Sequence, residues 1–382
     1  MKLEVFNKGN RVRNEMIRTY NYVTYKDEFN NKGEFTIIIP SDEESMLFLT
    51  YGNYILFEDG IVGIIKKISN LKEEQGEVTI TGTLTNGILL SRSFLKTTSY
   101  YDTIPTIARQ MVTDLIINPE DERRKISFVK LSEDEKYFPT VETKVRKQNT
   151  GDSLLTVISE MFLPDGFGYE LYPVIKNYDK ETGQYSNLDS LEFRILKPTD
   201  RTINNPDGNI PVVFSFDLDN LSRLLYEEDG SDYCTVAVVA SEGTGENRKV
   251  VEVGETEKTG VDRFELYVDA RDIQSENEDG TTISDEELEE LMSQRGLEKL
   301  SEHKKFISMD GTINTGSMSY TYKKDFYKGD YVSVYSTELN KYFNLQISSV
   351  SKSISNGVEY LDFEFGYDKA TVNKLIKSRR YL

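Results

Sequence analysis

The sequence predicts a mainly β protein of the α+β class, in which α+β domains are inserted between two similar small antiparallel β-barrels. Runs rich in β-branched and aromatic residues, such as "EFTIIIP" and "EVTITGTLTNGILL", alternate with Gly, Asn and Asp turn signals. The 382 residues include 24 Tyr and 19 Phe but no Trp, a composition that suits half-buried strands. In addition, the phrase "YGNYILFED" near the N-terminus returns as "KGDYVSVYS" near the C-terminus.

The first barrel is predicted over residues 1–95, where the strand runs follow one another with short polar turns. An α+β domain is predicted over residues 96–210. Its first helix lies in "DTIPTIARQMVTDLI", where the apolar residues fall on one face and Asp102 or Thr103 is placed to cap the helix. Pro105 is tolerated only in the first helical turn. A second helix is predicted in "GDSLLTVISEMF", followed by strands.

A second α+β domain is predicted over residues 211–305. Its segment 241–260 is rich in Gly, Glu and Lys and is expected to form an exposed hairpin or a mobile loop. A helix is expected over residues 284–300, because Ser284 and Glu287 form a capping-box pair and acidic residues crowd its N-terminal end. Gly296 is expected to break or kink this helix.

The second barrel region is predicted over residues 306–368, and residues 369–382 form a short basic tail. Gly52, Asn53 and Tyr54 lead into two strands, a polar turn and a third strand ending at Gly82. The same features follow Gly329 in the same order and end at Gly366. This order favours a structural duplication, although Gly-Asp or Gly-Asn before a strand is also common turn chemistry.

The composition narrows the function classes. The chain has 46 Lys and Arg against 65 Asp and Glu, for a net charge of −19, which argues against specific nucleic-acid binding. An acidic wall past which DNA slides is compatible with this charge. The single Cys234 excludes a disulfide framework and any multi-cysteine metal site. Neither a signal peptide nor a membrane-spanning run is evident, so we expect synthesis in the cytoplasm and no direct membrane insertion.

No catalytic, metal or cofactor site is predicted. His303, the only histidine, has no metal-ligand spacing around it and is interpreted as a surface residue. Cys234 lies in an apolar strand run and is interpreted as a structural thiol, with a Cys234/His303 pair as the alternative. No Gly-rich phosphate loop is present, and a glycosidase carboxylate pair hidden among the many acidic residues stays open.

One acidic run invites comparison with a calcium-binding loop. Counting from Gly280 as the sixth position places Ser275, Asn277, Asp279 and Glu286 at ligand positions. The first ligand should be Asp, and no helix is evident before the run. Acidic capping of the following helix is therefore the preferred interpretation.

Several phrases resemble the hub proteins of phage and prophage tails, the siphovirus tail hub or endopeptidase-like tail protein family. They are "VVFS" at 212–215, "DNL" at 219–221, "VAVV", Arg248, "DRFELYVDARDI" at 262–273, and Gly296 within its helix. "YKDEFNNKGEFTIIIP" and "ILLSRSF" resemble the opening barrel of the family. The resemblance runs along nearly the whole chain in order.

The resemblance implies a structural protein, a homotrimeric baseplate hub that joins a six-fold tail tube to a three-fold spike or tip and lines a central channel. It implies a tail tube or distal tail protein, a central spike or tip protein and a tape measure protein as partners. Its implied location is the tail baseplate of a virion or a phage-tail-like particle. Some related tail proteins carry a C-terminal peptidoglycan-cleaving extension, which we do not expect here because the sequence stops at Leu382. The alternatives are a tail-associated peptidoglycan hydrolase or endopeptidase and a carbohydrate-binding receptor module.

Overall fold

The computed structural model describes residues 2–41, 47–71, 76–176, 186–243, 248–273, 282–303, 306–312, 320–355 and 357–366. The predicted C-terminal tail and most of the candidate calcium loop lie outside these ranges. The described strands are β1 Leu3–Phe6, β2 Arg13–Ile17, β3 Tyr22–Glu28, β4 Glu34–Pro40, β5 Tyr54–Phe57, β6 Val62–Leu71, β7 Glu77–Leu84, β8 Thr98–Thr103, β9 Val129–Leu131, β10 Lys144–Asn149, β11 Gly168–Lys176, β12 Asn187–Leu196, β13 Asp200–Arg201, β14 Val213–Phe214, β15 Arg223–Asp229, β16 Val236–Ala240, β17 Val250–Gly254, β18 Glu265–Asp269, β19 Phe306–Thr312, β20 Tyr331–Ser336, β21 Lys341–Ser355 and β22 Val358–Phe365. The α-helices are α1 Ile104–Val112, α2 Leu154–Phe162 and α3 Asp285–Ser301.

The first β unit consists of strands β1 to β7, paired in the order β3-β4-β7-β6-β5-β1-β2 and antiparallel throughout. Its strands alternate between core and solvent, as the sequence predicts. In β4, for example, Phe35, Ile37 and Ile39 are buried while the residues between them face outward. These side chains share one core with Phe57 and Ile80.

The second β unit consists of β15, β19, β22, β21 and β20, paired in that order and antiparallel. Strand β20 also pairs in parallel with the short strands β13 and β14. Aromatic rings fill the core, with the centroid of Phe214 5.4 Å from that of Phe326 and 5.5 Å from that of Phe365. Such ring pairs add to the stability gained from area burial alone.

Five strands of each β unit follow the same order, and the two units share a hydrogen bond at the turns before β5 and β20 and a bulge in β6 and β21. The Gly52 and Gly329 amides donate to the carbonyls of Ile65 and Ile347, both at 2.9 Å. Both glycines have a positive φ, of 86° and 94°, a conformation that side chains disfavour. Directly after Ile65 and Ile347, each long strand carries a bulge. The correspondence predicted from the sequence therefore extends to single hydrogen bonds.

Two details differ from the prediction. Gly82 pairs with Ile65, whereas the residue that pairs with Ile347 is Phe365, so Gly366 lies one position beyond the counterpart of Gly82. On the side away from β6, β5 pairs with the antiparallel strand β1, whereas on the side away from β21, β20 pairs in parallel with β13 and β14. The mainly β, α+β class is confirmed. Pairing among the described strands closes neither unit into a barrel.

The first inserted part contains α1 and α2 beside the sheet β11-β12-β9 and the pair β8-β10. Helix α2 begins after Ser153, whose hydroxyl accepts from the Thr156 amide at 3.2 Å. The expected side-chain cap of α1 is wrong. Thr103 occupies the N-cap position, but its hydroxyl bonds that of Thr106, and no side chain caps the helix amides.

The second inserted part packs α3 on the sheet β17-β16-β18. The predicted capping box is present, since Ser284 accepts from the Glu287 amide and the Glu287 carboxylate accepts from the Ser284 amide. The expected break at Gly296 is wrong, because α3 continues through it to Ser301. A Cβ at Gly296 would lie 2.6 Å from methyl groups of Val239 and Val253. Glycine is needed there for close packing of helix on sheet.

Candidate functional site: the seam between the two β units

The seam is the antiparallel pairing of β3 in the first β unit with β21 in the second. Seven residue pairs form it, from Tyr22 opposite Ser355 to Glu28 opposite Ser349. The Phe29 amide continues the pairing by donating to the Ser348 carbonyl at 2.8 Å. The β units are thereby joined into one continuous sheet.

Charged side chains reinforce the seam. The Lys26 ammonium lies 2.7 Å from the Glu364 carboxylate, and Lys328 forms an ion pair with Asp27. The Tyr25 hydroxyl donates to the Asp59 carboxylate. Burial, and then the negative charge of Asp59, raise the pKa of Tyr25 far above its usual value, so this hydroxyl stays protonated and acts as a donor.

Phe29 fills the end of the seam. Its ring lies directly against the backbone of both Gly168 and Gly329, where a Cβ on either glycine would overlap it. Gly168 belongs to β11 and Gly329 precedes β20, so this ring fixes the seam to the first inserted part as well as to the second β unit. Sequence patterns gave no signal for these contacts, because they join residues far apart in the chain.

The repeated Gly-Asn/Asp-Tyr phrases have a definite role. The Asn53 side chain accepts from the Lys8 amide at 3.0 Å, and the Asp330 carboxylate accepts from the Thr199 amide at 2.9 Å. Asp330 also accepts from the Arg201 guanidinium at 3.0 Å. Each side chain therefore ties its strand to a neighbouring segment that comes much earlier in the sequence.

Each β unit also has a strand edge that no described strand covers. We call residues 67–71 of β6 the β6 edge and residues 225–229 of β15 the β15 edge. Among the described strands, β7 is the only partner of the β6 edge and β19 the only partner of β15. Lys67 and Ser69 on the β6 edge are exposed, as are Leu225 and Glu227 on the β15 edge. Such edges are templates for pairing with another strand.

Cys234 and His303 are neighbours through the backbone, since the Cys234 amide donates to the His303 carbonyl at 3.0 Å. The His303 ring bonds the Asp232 carbonyl at 3.0 Å through Nδ1. Burial, together with the charge of Asp232, raises the pKa of the Cys234 thiol. A nucleophilic cysteine needs a lowered pKa, so this environment disfavours a reactive thiolate.

Within the described ranges, no group of three or more His, Cys, Asp or Glu side chains is arranged to hold a metal ion. Ser275, Asn277 and Asp279 of the candidate calcium loop lie outside those ranges, whereas Glu286 lies in the first turn of α3. None of the described helices is both long and apolar enough to cross a bilayer.

Residues 2–367 match the family described as Siphovirus ReqiPepy6 Gp37-like protein. The fold is similar to that of the prophage MuSo2 43 kDa tail protein from Shewanella oneidensis, with a TM-score of 0.55 at 12% identity, covering 97% of this chain and 99% of that one. It is also similar to prophage tail protein gp18 from Listeria monocytogenes EGD-e, with a TM-score of 0.53 at 15% identity, covering 99% and 100%. A tail protein from Neisseria meningitidis MC58 gives a TM-score of 0.52 at 12% identity, covering 96% of each chain. Comparison with curated protein sequences gives no match.

Proposed function

The chain belongs to the Siphovirus ReqiPepy6 Gp37-like protein family, and from this premise we propose that it is the structural baseplate hub of a phage tail or phage-tail-like particle. Its role is that of a trimeric adaptor between a six-fold tail tube and a three-fold spike or tip, lining a central channel. Its place is the baseplate of the assembled particle, after synthesis in the bacterial cytoplasm.

The observation that carries this proposal is the repeated strand order of the two β units. The order β3-β4-β7-β6-β5 of the first unit corresponds to β15-β19-β22-β21-β20 of the second. We infer that each unit acts as a small barrel, so that three chains present six similar contact surfaces to the tube. The same three chains present three identical inserted regions to the spike, which meets the requirement of symmetry matching.

The proposed partners follow from this position. The tail tube or distal tail protein contacts the ring of β units, and the spike or tip protein contacts the opposite side, with the tape measure protein ending near the channel. The net charge of −19 supports a wall that DNA passes without specific binding, since phosphates are repelled by carboxylates.

Cryo-electron microscopy of particles that carry this chain tests the proposal. The expected result is three copies between the last tube ring and the tip, with both β units of each copy in one ring. Six copies per particle, or a location away from the tube-tip junction, would contradict it.

Purified protein tests the hydrolase alternative. We expect no clearing of cell-wall suspensions. The proposal includes no catalytic residue, and the raised pKa of the Cys234 thiol disfavours it as a nucleophile. Robust clearing that is abolished by His303→Ala would contradict the structural function and support an enzymatic one.

A further inference from the structure

The seam pairs two strand edges within one chain, whereas no described strand covers the β15 edge or the β6 edge. We propose that the β15 edge of one copy pairs antiparallel with the β6 edge of a second copy of this chain, in the register of the seam. This inference rests on the proposed function, which supplies the trimer, and it names the strands and residues that hold the trimer together.

Strand β15 of the second β unit corresponds to β3 of the first. Tyr25 pairs with Phe35, which pairs with Gly82, and Gly82 lies opposite Ile65 just before the bulge of β6. In the second β unit, Tyr226 pairs with Met309, which pairs with Phe365. Phe365 lies opposite Ile347, just before the bulge of β21. Tyr226 therefore occupies the place of Tyr25, and Glu227 that of Lys26. In both strands the tyrosine points toward the core and the next residue points away.

The β6 edge corresponds to the part of β21 that pairs with β3 in the seam. Counting from the two bulges, Lys67 corresponds to Ser349 and Ser69 to Ser351. In the seam, Ser351 lies opposite Lys26. Transferring the register places Ser69 of one copy opposite Glu227 of the next, and Lys67 opposite Asp229.

Both edges are accessible to a second copy. Lys67 and Ser69 are exposed at the β6 edge, as is the adjacent Lys66, and Leu225 of the β15 edge is 51% exposed. An exposed apolar residue on an uncovered strand favours aggregation unless a defined partner covers it. Pairing with a second copy covers both edges at once.

The two edges carry charges of opposite sign. The β15 edge carries Glu227, Glu228 and Asp229, while the facing part of β6 carries Lys66 and Lys67. Opposite charges on facing strands stabilise the pairing, and like charges oppose it. Two β15 edges would repel each other, so the complementarity selects a head-to-tail contact between different edges. A head-to-tail contact forms a ring when its rotation closes, and pseudo-equivalence with the seam gives six β units in a ring of three chains.

The test is a cysteine pair in the background Cys234→Ser, which removes the only native thiol. Because the Phe29 amide bonds the Ser348 carbonyl, alternation makes Lys26 and Ser351 a non-hydrogen-bonded pair, with Cβ atoms about 4.5–5.5 Å apart. The variant Ser69→Cys/Glu227→Cys copies this pair between chains. The control is Ser69→Cys/Arg223→Cys, which places the second cysteine on the same face of β15 but about 13 Å away along the strand.

After oxidation, non-reducing electrophoresis is expected to show covalent dimers and trimers for the first variant and at least tenfold less for the control. Light scattering of the reduced protein is expected to give a trimer. A trimer without the specific cross-link, or with equal cross-linking in the control, would overturn the pairing and leave the trimeric hub standing. A monomer at every concentration, without cross-links, would overturn both the pairing and the trimer.

A charge exchange tests the same contact without cysteines. Lys67→Glu is expected to weaken trimer formation at least tenfold, because it faces the carboxylates of the β15 edge. Adding Glu227→Lys, the diagonal neighbour of Lys67 in this register, is expected to restore most of the loss. If Lys67→Glu and Glu227→Lys each weaken trimer formation and their effects add in the double variant, the register is overturned. Circular dichroism of each variant shows whether the fold is retained.

Discussion

Replacing Gly296 with alanine tests how α3 packs on its sheet. Alanine at a helix interior is favoured over glycine by about 1 kcal/mol, so a glycine that only weakened or kinked the helix would be improved by the change. In the structure, however, the new Cβ would lie 2.6 Å from a methyl of Val239 and 2.6 Å from a methyl of Val253. Ordinary carbon-carbon contacts are about 3.5–4.0 Å, so the shortfall is about 1 Å on two sides.

Relief of these overlaps requires α3 to move away from β16 and β17. Both valines are β-branched and stand on strands, so their side chains cannot turn aside at low cost. Overpacking of a core costs about 1–3 kcal/mol, which exceeds the gain in helix propensity. We therefore expect Gly296→Ala to lower the free energy of unfolding by on the order of 1 kcal/mol.

The assay is urea unfolding followed by far-UV circular dichroism, since the chain contains no Trp for fluorescence. The matched control is Val239→Ala, alone and combined with Gly296→Ala. If the overlap causes the loss, Val239→Ala costs less in the alanine background than in the wild type. A Gly296→Ala variant as stable as the wild type, or more stable, would refute the packing argument.

Three further predictions concern helix α3 and its ion pairs. Ser284→Ala should destabilise the protein by about 1 kcal/mol in thermal melts, because the hydroxyl caps α3, and an unchanged melt would contradict this role. Lys147→Met should cost about 3–5 kcal/mol in urea unfolding, since it leaves the fully buried Glu298 without its ion pair. Lys147→Met/Glu298→Leu should recover most of that loss, and a double variant no more stable than Lys147→Met would contradict the cost assigned to the unpaired Glu298 carboxylate. Burial raises the pKa of Glu302 despite its ion pair with Lys299, so its contribution to stability is present below pH 4.5 and is lost as the pH rises through the folded pKa. Glu302→Gln should thus be neutral or stabilising at pH 7 and match the wild type at pH 4, and a large loss confined to pH 7 would oppose this reading.

Local features were predictable because their causes lie within a few residues. The capping box of α3 needs only Ser284 and Glu287, which are three positions apart. The turns at Gly52 and Gly329 are predictable because a glycine precedes a strand in each. The repetition of this pattern indicates the related strand order of the two β units. The sequence resemblance to phage and prophage tail proteins is likewise confirmed by the family match over residues 2–367.

Features that depend on the distant partner were not predictable. The role of Gly296 is decided by Val239 and Val253, which lie on other strands, so propensity alone gave the wrong expectation of a break. The Thr103 cap is a local feature that was nevertheless predicted wrongly, because the Thr106 hydroxyl, only three positions away, is a competing partner for the Thr103 hydroxyl. The seam between β3 and β21 left no local pattern, since each strand alone is an ordinary alternating run.

The seam has a consequence for how the chain reaches its folded state. The Lys328–Asp27 ion pair joins residues 301 positions apart, so β3 is synthesised long before β21. During translation the outer edge of β3, with Val23 and Tyr25, stays without this partner until β21 has emerged. Long-range strand pairing folds slowly and exposes edges to misassembly. Chains truncated before residue 349 should therefore aggregate, because productive folding of the first β unit requires the synthesis of β21.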